Sequence, residues 1–285
     1  MPGRSTVAGY LAARFPDDAA RLAGKIAGGE VVDADGTPVT ERTPFTPGLE
    51  VFFYRDPPPE APVPFALRVL HRDEHLLVVD KPHFLATMPR GRHITETALV
   101  RLRRSTGNDG LAPAHRLDRL TAGVLVFTTH PAARRAYQDL FAAGGVRKTY
   151  EAVSYTAADA PLPTVVRSRI VKERGVHRAY ESQGAVNAET AVERVPGGPH
   201  VRLRVRPVTG KTHQIRVHLS SLGAPIAWDP LYGSASAGPP TSGPPARTSG
   251  GFDRPLQLLA RSLEFTDPFT GAPRRFVSGR TLDLW

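Results

Sequence analysis

The order of segments along the chain predicts an α+β fold with a mixed, largely antiparallel central sheet flanked by helices and loops. Three observations lead to this prediction: short apolar runs suited to buried strands, other segments in which apolar and polar residues alternate, and only occasional helical segments between them. A chain of 285 residues can bury one sizeable core and still leave room for a small additional domain.

Residues 1–55 are predicted to form the small domain, which is itself α+β. Its expected elements are a helix capped by Ser5 or Thr6 and ending at Phe15, a helix from Asp17 to Ile26, a turn at Asp35 and Gly36, and a strand at 51–54. Five prolines among residues 56–64 then indicate a stiff linker.

The larger domain, residues 65–285, contains the predicted central sheet. Its expected strands are 76–79, 123–128, 148–155, 189–195 and 201–206, and residues 256–265 are expected to return to the core. Its expected helices are 95–104 with Thr95 as cap, 131–143 with Pro131 in the first turn and Gly144 at the end, and 213–222 closed by Gly223. Residues 233–255 are rich in Gly, Pro and Ser, which predicts a flexible insertion.

The composition excludes several classes of protein. Without cysteine the chain has no disulfides and no thiolate metal sites, so covalent catalysis would use Asp, Ser, Thr or Lys. A formal net charge of +10 favours nucleic acid as a partner, with compositional drift as the alternative explanation. No apolar run approaches the roughly 20 residues that span a bilayer, and no signal sequence is recognisable. We therefore expect a cytoplasmic monomer without a membrane partner.

The densest cluster of polar residues lies directly before the predicted strand 123–128. It reads His-Arg-Leu-Asp-Arg from His115 to Arg119, which places Asp118 in a loop at an edge of the sheet. The two neighbouring arginines favour the ionised carboxylate, which suits nucleophilic attack or stabilisation of a cation better than proton donation. A structural Arg–Asp pair that fixes a turn explains the same residues equally well.

A second cluster, residues 209–218, leads into the predicted helix 213–222. Lys211 and a possible cap at Thr212 would offer charge and backbone N–H groups to an anion, although a solvated helix start is the more ordinary interpretation. His213 and His218 are five residues apart, which does not match the spacing of helical zinc ligands, so no metal site is expected. No Gly-rich phosphate loop or dinucleotide motif is present, and no cofactor is expected.

Taken in order, these motifs resemble the RluA-type family of RNA pseudouridine synthases over residues 65–285. The run from His115 to Phe127 is the most specific part of the resemblance. Supporting matches are Val-Val-Asp-Lys-Pro at 78–82, Lys-Thr-Tyr at 148–150, Gly-Lys-Thr-His-Gln-Ile-Arg-Val-His-Leu at 210–219 and Leu-Tyr-Gly at 231–233. The resemblance implies the pseudouridine synthase fold and an isomerase that converts specific uridines of large-subunit ribosomal RNA or transfer RNA to pseudouridine.

The resemblance also assigns roles to individual residues. It implies that Asp118 is the nucleophile and that Arg116 enters the RNA stack where the target uridine leaves it. Tyr150 is implied to stack on the flipped base and to assist proton removal, and Lys211 to pair with the catalytic carboxylate. Further candidates for contact with RNA are His115, Arg119, Arg216, Arg90, Arg92, Arg101, Arg103 and Arg104.

Residues 1–55 resemble, more weakly, the small RNA-binding domain known from ribosomal protein S-four, with Arg14, Arg21 and Lys25 as its basic residues. Three positions of the larger domain depart from the family pattern. Ala122 replaces the usual Ser, Trp228 replaces a customary Gly, and Leu259 stands where many members have His. These departures bear on the choice of substrate more than on activity.

Two other functions fit parts of the sequence. A non-catalytic RNA-binding or ribosome-assembly protein on the same scaffold is one, but Asp118, Arg116, Tyr150 and Lys211 are all intact, which argues against loss of the chemistry. A His/Asp metal hydrolase is the other, and it lacks ligands at metal-binding spacing.

Overall fold

The structure, a computed structural model, describes residues 6–54, 60–91, 93–157, 161–174, 176–233 and 251–285. The chain divides into two compact units, Met1–Pro58 and Pro59–Trp285. Four of the sequence predictions fall wholly or partly outside the described residues: Ser5 as a helix cap, the linker at 56–59, Arg92, and most of the flexible insertion at 233–255.

The first unit contains two helices, as its sequence predicts, followed by a two-stranded antiparallel sheet. Its elements are α1 Val7–Arg14, a 3₁₀ turn Pro16–Asp18, α2 Ala19–Ala27, β1 Val31–Asp33 and β2 Val51–Phe53. The Thr6 hydroxyl accepts from the backbone N–H of Gly9 and so caps α1. Its core contains Val7, Leu11, Leu22, Ile26, Val31 and Val39. Residues 1–58 carry six Lys and Arg against eight Asp and Glu, so this unit adds nothing to the positive charge of the chain.

The second unit is built on one large sheet. Its strands are β3 Arg68–Arg72, β4 Leu76–Lys81, β5 Ala112–Pro113, β6 Ala122–Thr128, β7 Arg147–Ser154, β8 Thr164–Val171, β9 Tyr180–Ser182, β10 Ala188–Val195, β11 Val201–Pro207, β12 Leu258–Thr266 and β13 Pro273–Val277. Their spatial order is β3-β4-β6-β12-β7-β11-β10-β8-β9, with β5 beside β6 and β13 beside β12. Within the described part of the chain, β6 and β12 form the one parallel pair of this sheet, and the α+β prediction is confirmed.

Three helices flank the sheet: α3 Ala98–Thr106, α4 Pro131–Ala142 and α5 Gln214–Ser221. The predicted start of α3 is wrong by two residues, because Thr97 and not Thr95 caps it. The backbone N–H and the hydroxyl of Thr95 both donate to the Glu60 carboxylate instead. The cap is therefore the next threonine, whose hydroxyl accepts from the N–H of Val100 at 3.2 Å.

Apolar side chains cover both faces of the middle of the sheet. Along β4, Leu77 and Val79 face one core cluster and Leu76 and Val78 face another, and β6 alternates in the same way. This two-sided burial explains why both strands are continuous apolar runs in the sequence. Of the strands that the sequence did not predict, β3, β5, β9 and β13 are short, and β8 alternates between half-buried and exposed residues along most of its length. The segment of β12 was expected to belong to the core but was not assigned as a strand.

Candidate active site

The loop between β5 and β6 carries Asp118 and is fixed by buried side chains beneath it. The Thr87 hydroxyl accepts from the N–H of Leu117 at 3.1 Å and donates to its carbonyl at 2.8 Å. The ammonium of Lys81, which is fully buried, donates to the carbonyl of Arg119 at 3.4 Å. The backbone on both sides of Asp118 is therefore held, while the carboxylate itself keeps 22% of its surface exposed.

Gly123 brings this loop against the centre of the sheet. It lies in β6 at φ +115°, opposite Ala260 in the parallel pairing with β12. A Cβ atom at this position would lie 2.2 Å from the carbonyl oxygen of Ala260, so only glycine fits. The same pairing places Leu259 opposite Ala122 in a fully buried apolar contact.

Arg216, in the first turn of α5, is the basic residue that pairs with Asp118. Its Nη1 lies 3.4 Å from Oδ2 of Asp118, and its Nε and Nη2 donate to both carboxylate oxygens of Asp229 at 2.7 and 2.6 Å. Arg216 is only 3% exposed. The bidentate bond fixes the plane of the guanidinium and leaves Nη1 directed at Asp118. The two carboxylates that Arg216 contacts are those of Asp118 and Asp229, and its expected contact with RNA stays a prediction.

Lys211 does not make the ion pair that the family resemblance implied. Its side chain is exposed, and its backbone N–H donates to the side-chain oxygen of Gln214 at 2.9 Å. It lines the cleft around Asp118 from the solvent side. Thr212 is not the helix cap either, because His213 occupies that position at φ +57° without a side-chain cap bond.

Tyr150 and Lys148 enter the same cleft from β7. Tyr150 is 9% exposed, and burial, with the charge of Asp118 as a second cause, raises the pKa of its phenol. The phenol is therefore neutral and offers a ring face and a hydroxyl. Lys148 is half-buried, donates to the carbonyl of Thr209 at 3.3 Å, and has its pKa lowered by burial. Lys148 belongs to the Lys-Thr-Tyr motif at 148–150, and this motif was the feature of the sequence that could have indicated its role in the site.

The residues beside Asp118 in its motif have different environments. His115 stacks on Phe141 at 4.3 Å between ring centroids, and burial lowers its pKa to about 3. Its Nε2 accepts from the N–H of Val126, so the neutral ring supports the loop. The expected contact of His115 with RNA stays a prediction. Arg116 is exposed, and neither it nor Arg119 makes an ion pair with an acidic side chain in the described residues.

Two cavities meet at Asp118. The first cavity has a volume of about 360 Å³ and is lined by Asp118, Tyr150, Lys148, Gln138, Phe141 and Lys211, among others. The second cavity has a volume of about 510 Å³ and is lined by Met88, Arg90, His93, Arg119, His177 and Leu231, among others. Arg116, Leu117, Asp118, His213 and Arg216 line both cavities. Volumes in this range suit small-ligand sites.

The other candidate arginines are divided between structural and surface roles. Arg101 pairs with Glu96, and Arg103 donates to the carbonyl of Leu111 at 2.9 Å, so both serve to hold α3 in place. Arg104 is exposed, and Arg90 lies at the second cavity.

Trp228 precedes Asp229 at the position where the family usually has a glycine. The tryptophan itself adopts φ +59°, the left-handed conformation that a glycine would take there. The turn that delivers Asp229 to Arg216 therefore keeps its shape with a residue that is strained in it.

Neither a metal centre nor a membrane span is found in the part of the chain that the structure describes. No three His, Asp or Glu side chains there are grouped closely enough to hold a metal ion. No helix there combines the length and apolar character needed to cross a membrane.

An ion-paired carboxylate at the junction of two clefts, beside a neutral tyrosine, is typical of an enzyme active site. The chain belongs to the RNA pseudouridylate synthase family, whose model matches residues 75–221. The protein is accordingly an RNA pseudouridine synthase, an isomerase, and the prediction made from its motifs is confirmed.

Similar proteins come from several organisms. An uncharacterized RNA pseudouridine synthase of Synechocystis is 34% identical over 226 residues, which cover 77% of this chain and 76% of the relative. The dual-specificity RNA pseudouridine synthase RluA of Haemophilus influenzae is 31% identical over 215 residues, covering 74% of this chain and 91% of the relative. The structure of human RNA pseudouridylate synthase domain containing 4 matches with a TM-score of 0.55 and 25% identity, covering 75% of this chain and 88% of that one.

Proposed function

We propose that this enzyme isomerises specific uridines of large-subunit ribosomal RNA or of transfer RNA, with Asp118 as the nucleophile. The names of its relatives support this choice of substrate. They include the ribosomal large subunit pseudouridine synthase D of Xanthomonas campestris, which is 35% identical over 229 residues covering 75% of this chain and 66% of the relative. Another is the mitochondrial tRNA pseudouridine(32) synthase of Saccharomyces cerevisiae, 32% identical over 186 residues, covering 63% of this chain and 39% of the relative. We expect a cytoplasmic monomer.

The position of Asp118 is the observation that carries the proposal. Its carboxylate lies at the mouth of both cavities, and the guanidinium of Arg216 stabilises its charge from the buried side at 3.4 Å. A carboxylate that is paired with a guanidinium and reachable from a cleft can attack an electrophilic carbon. Pseudouridine formation breaks the bond from ribose to a ring nitrogen and forms a bond from ribose to a ring carbon, without a change of oxidation state.

The target uridine has to leave the RNA stack to reach this carboxylate, at a cost of a few kcal/mol. In the proposal, Tyr150 stacks on the flipped base in the first cavity, a contact that contributes about 1–3 kcal/mol. Arg116 is exposed where the two cavities join, so it can enter the place that the uridine leaves. The phenol of Tyr150 is neutral. Tyr150 therefore acts first of all as a stacking ring and as a hydrogen-bond donor through its hydroxyl, and a role as a general base is secondary.

The test is a map of pseudouridine in total RNA from cells with the gene, without it, and with only the Asp118→Asn variant. We expect at least one position to lose pseudouridine without the gene and to stay unmodified in the variant. In purified form the variant should lose roughly 10³-fold or more in kcat while still binding RNA. Asp139→Asn, at an exposed carboxylate on α4, is the matched control for the loss of one negative charge.

Modification that persists with Asp118→Asn would show that another residue is the nucleophile. A map that is unchanged in both RNA classes without the gene would contradict the proposed substrates.

A further inference from the structure

His213 lies between the two cavities and faces the catalytic carboxylate. Its Nε2 is 3.7 Å from Oδ2 of Asp118, the same oxygen that Arg216 approaches at 3.4 Å. Its side chain is 14% exposed, and its backbone has φ +57°, at the point where α5 begins. The sequence analysis considered a single role for His213, that of a metal ligand, and the spacing to His218 argued against it.

The contacts of Nδ1, the other ring nitrogen of His213, decide which of the two nitrogens carries the hydrogen. Nδ1 lies 2.9 Å from the phenol oxygen of Tyr232, which is 2% exposed. That phenol oxygen also lies 2.8 Å from the backbone N–H of Ala179 and 2.9 Å from the carbonyl oxygen of Ala179. The N–H can only donate and the carbonyl can only accept, so the single phenol hydrogen goes to the carbonyl.

The hydrogen on the ring is therefore on Nδ1, which donates to the phenol oxygen of Tyr232. Nε2 is left with a lone pair directed at the cleft beside Asp118. Burial lowers the pKa of His213 to about 4, with the charge of Asp118 opposing this, so the ring is neutral at physiological pH. Two hydrogen-bond acceptors, Nε2 of His213 and Oδ2 of Asp118, thus lie side by side.

We propose that this twin acceptor, Nε2 of His213 with Oδ2 of Asp118, binds a hydrogen-bond donor of the target nucleotide and so sets its orientation for the reaction. Two neighbouring acceptors without a shared donor repel one another, and a donor placed between them satisfies both. The inference rests on the proposed function, since it requires a uridine beside Asp118. A uridine in RNA offers two such donors, the ribose 2′-hydroxyl and the N3–H of the base.

The variant His213→Asn tests the proposal. Asparagine accepts the left-handed backbone of this position, and its side-chain amide can still donate to the phenol of Tyr232. It has no atom at the position of Nε2, so it removes one half of the twin acceptor. We expect kcat/KM on an RNA that the wild-type enzyme modifies to fall about 10- to 100-fold, because the donor of the nucleotide is left without this acceptor in an enclosed site, with an unchanged melting temperature.

Two modified RNAs distinguish the donors. If the donor is N3–H, a substrate with 3-methyluridine at the target should react equally slowly with wild type and His213→Asn. If the donor is the 2′-hydroxyl, a 2′-O-methyl target should remove the difference instead. An equal kcat/KM for both proteins on unmodified RNA, or a difference that persists on both modified RNAs, would overturn the proposal. Failure of the wild type to modify any RNA would instead contradict the proposed function.

The variant Tyr232→Phe tests separately whether the phenol of Tyr232 fixes the tautomer of His213. It keeps the ring, over which Arg216 packs at 5.0 Å, and removes the oxygen that fixes His213. Tyr137→Phe is the matched control, because Tyr137 is a fully buried tyrosine whose hydroxyl donates to Asp267 away from the site. We expect similar losses of stability in both variants but a fall in kcat only in Tyr232→Phe. Equal kcat in both variants would show that Tyr232 does not act through His213.

Discussion

Arg216 and Lys211 belong to one sequence motif, residues 210–219, and both line the cleft at Asp118, but burial separates their roles. Arg216 is enclosed and bonded to two carboxylates, whereas Lys211 is solvated and bonded through its backbone. The family resemblance assigned the pairing with Asp118 to Lys211, and Arg216 was expected only to contact RNA. The register of α5, which turns Arg216 inward, depends on packing against the sheet and is not visible in the motif.

Arg216→Ala should lower both stability and activity. Its removal leaves the buried carboxylate of Asp229 without its bidentate partner, which typically costs about 3–5 kcal/mol. Lys211→Ala should change the free energy of unfolding by less than about 0.5 kcal/mol, as exposed substitutions do. Urea denaturation and kcat measurements on both variants check this. A larger loss of stability in Lys211→Ala than in Arg216→Ala would contradict the assignment of the pair.

At the scale of elements, the sequence predicted the parts whose burial is continuous or strongly periodic. The apolar runs of β4 and β6, and helix α4 between Pro131 and Gly144, were all found. It did not predict β3 or β9, because edge strands expose most of their residues and have no burial pattern of their own. The parallel contact of β6 with β12 also has no local signal, since it joins segments more than a hundred residues apart.

The same contact makes Gly123 the most constrained residue of β6. Gly123→Ala should destabilise the protein by about 2–4 kcal/mol and lower kcat, because the methyl group pushes the strand and the Asp118 loop away from β12. Gly271→Ala is the matched control: it has a positive φ of 68° but nothing within 4 Å of an added Cβ. Only about 1 kcal/mol of backbone strain is expected there. If thermal denaturation shows the same loss of stability for Gly123→Ala and Gly271→Ala, the close approach of Gly123 to Ala260 is not the cause of the loss.

At the scale of the whole molecule, buried neutral histidines set the response to acid. Burial is the first cause of a lowered pKa in four histidines, which fall to about 3 for His115 and about 4 for His83, His213 and His218. In the unfolded chain these groups titrate near pH 6.5. Between that pH and about 4, the unfolded state therefore binds more protons than the folded state.

Stability should accordingly fall as the pH is lowered from 6.5 toward 4. Each of these histidines contributes up to about 1.4 kcal/mol per pH unit in this window. Denaturant titrations at pH 8, 6.5, 5.5 and 4.5 measure the slope, with little change expected between 8 and 6.5 from this source. A midpoint that stays constant from pH 6.5 to 4.5 would show that the histidines are protonated in the folded state.

The place of β12 in the sheet also determines when the enzyme can first work during synthesis. Asp118 precedes β6 on one side of this strand, and Tyr150 lies in β7 on its other side. The two sides are joined in the sheet through β12, which begins at Leu258 of a 285-residue chain. Before β12 is synthesised, Asp118 and Tyr150 therefore lie on two unconnected half-sheets. A chain that stops before Leu258 would carry every proposed catalytic residue and yet lack the strand that brings the two halves of the site together.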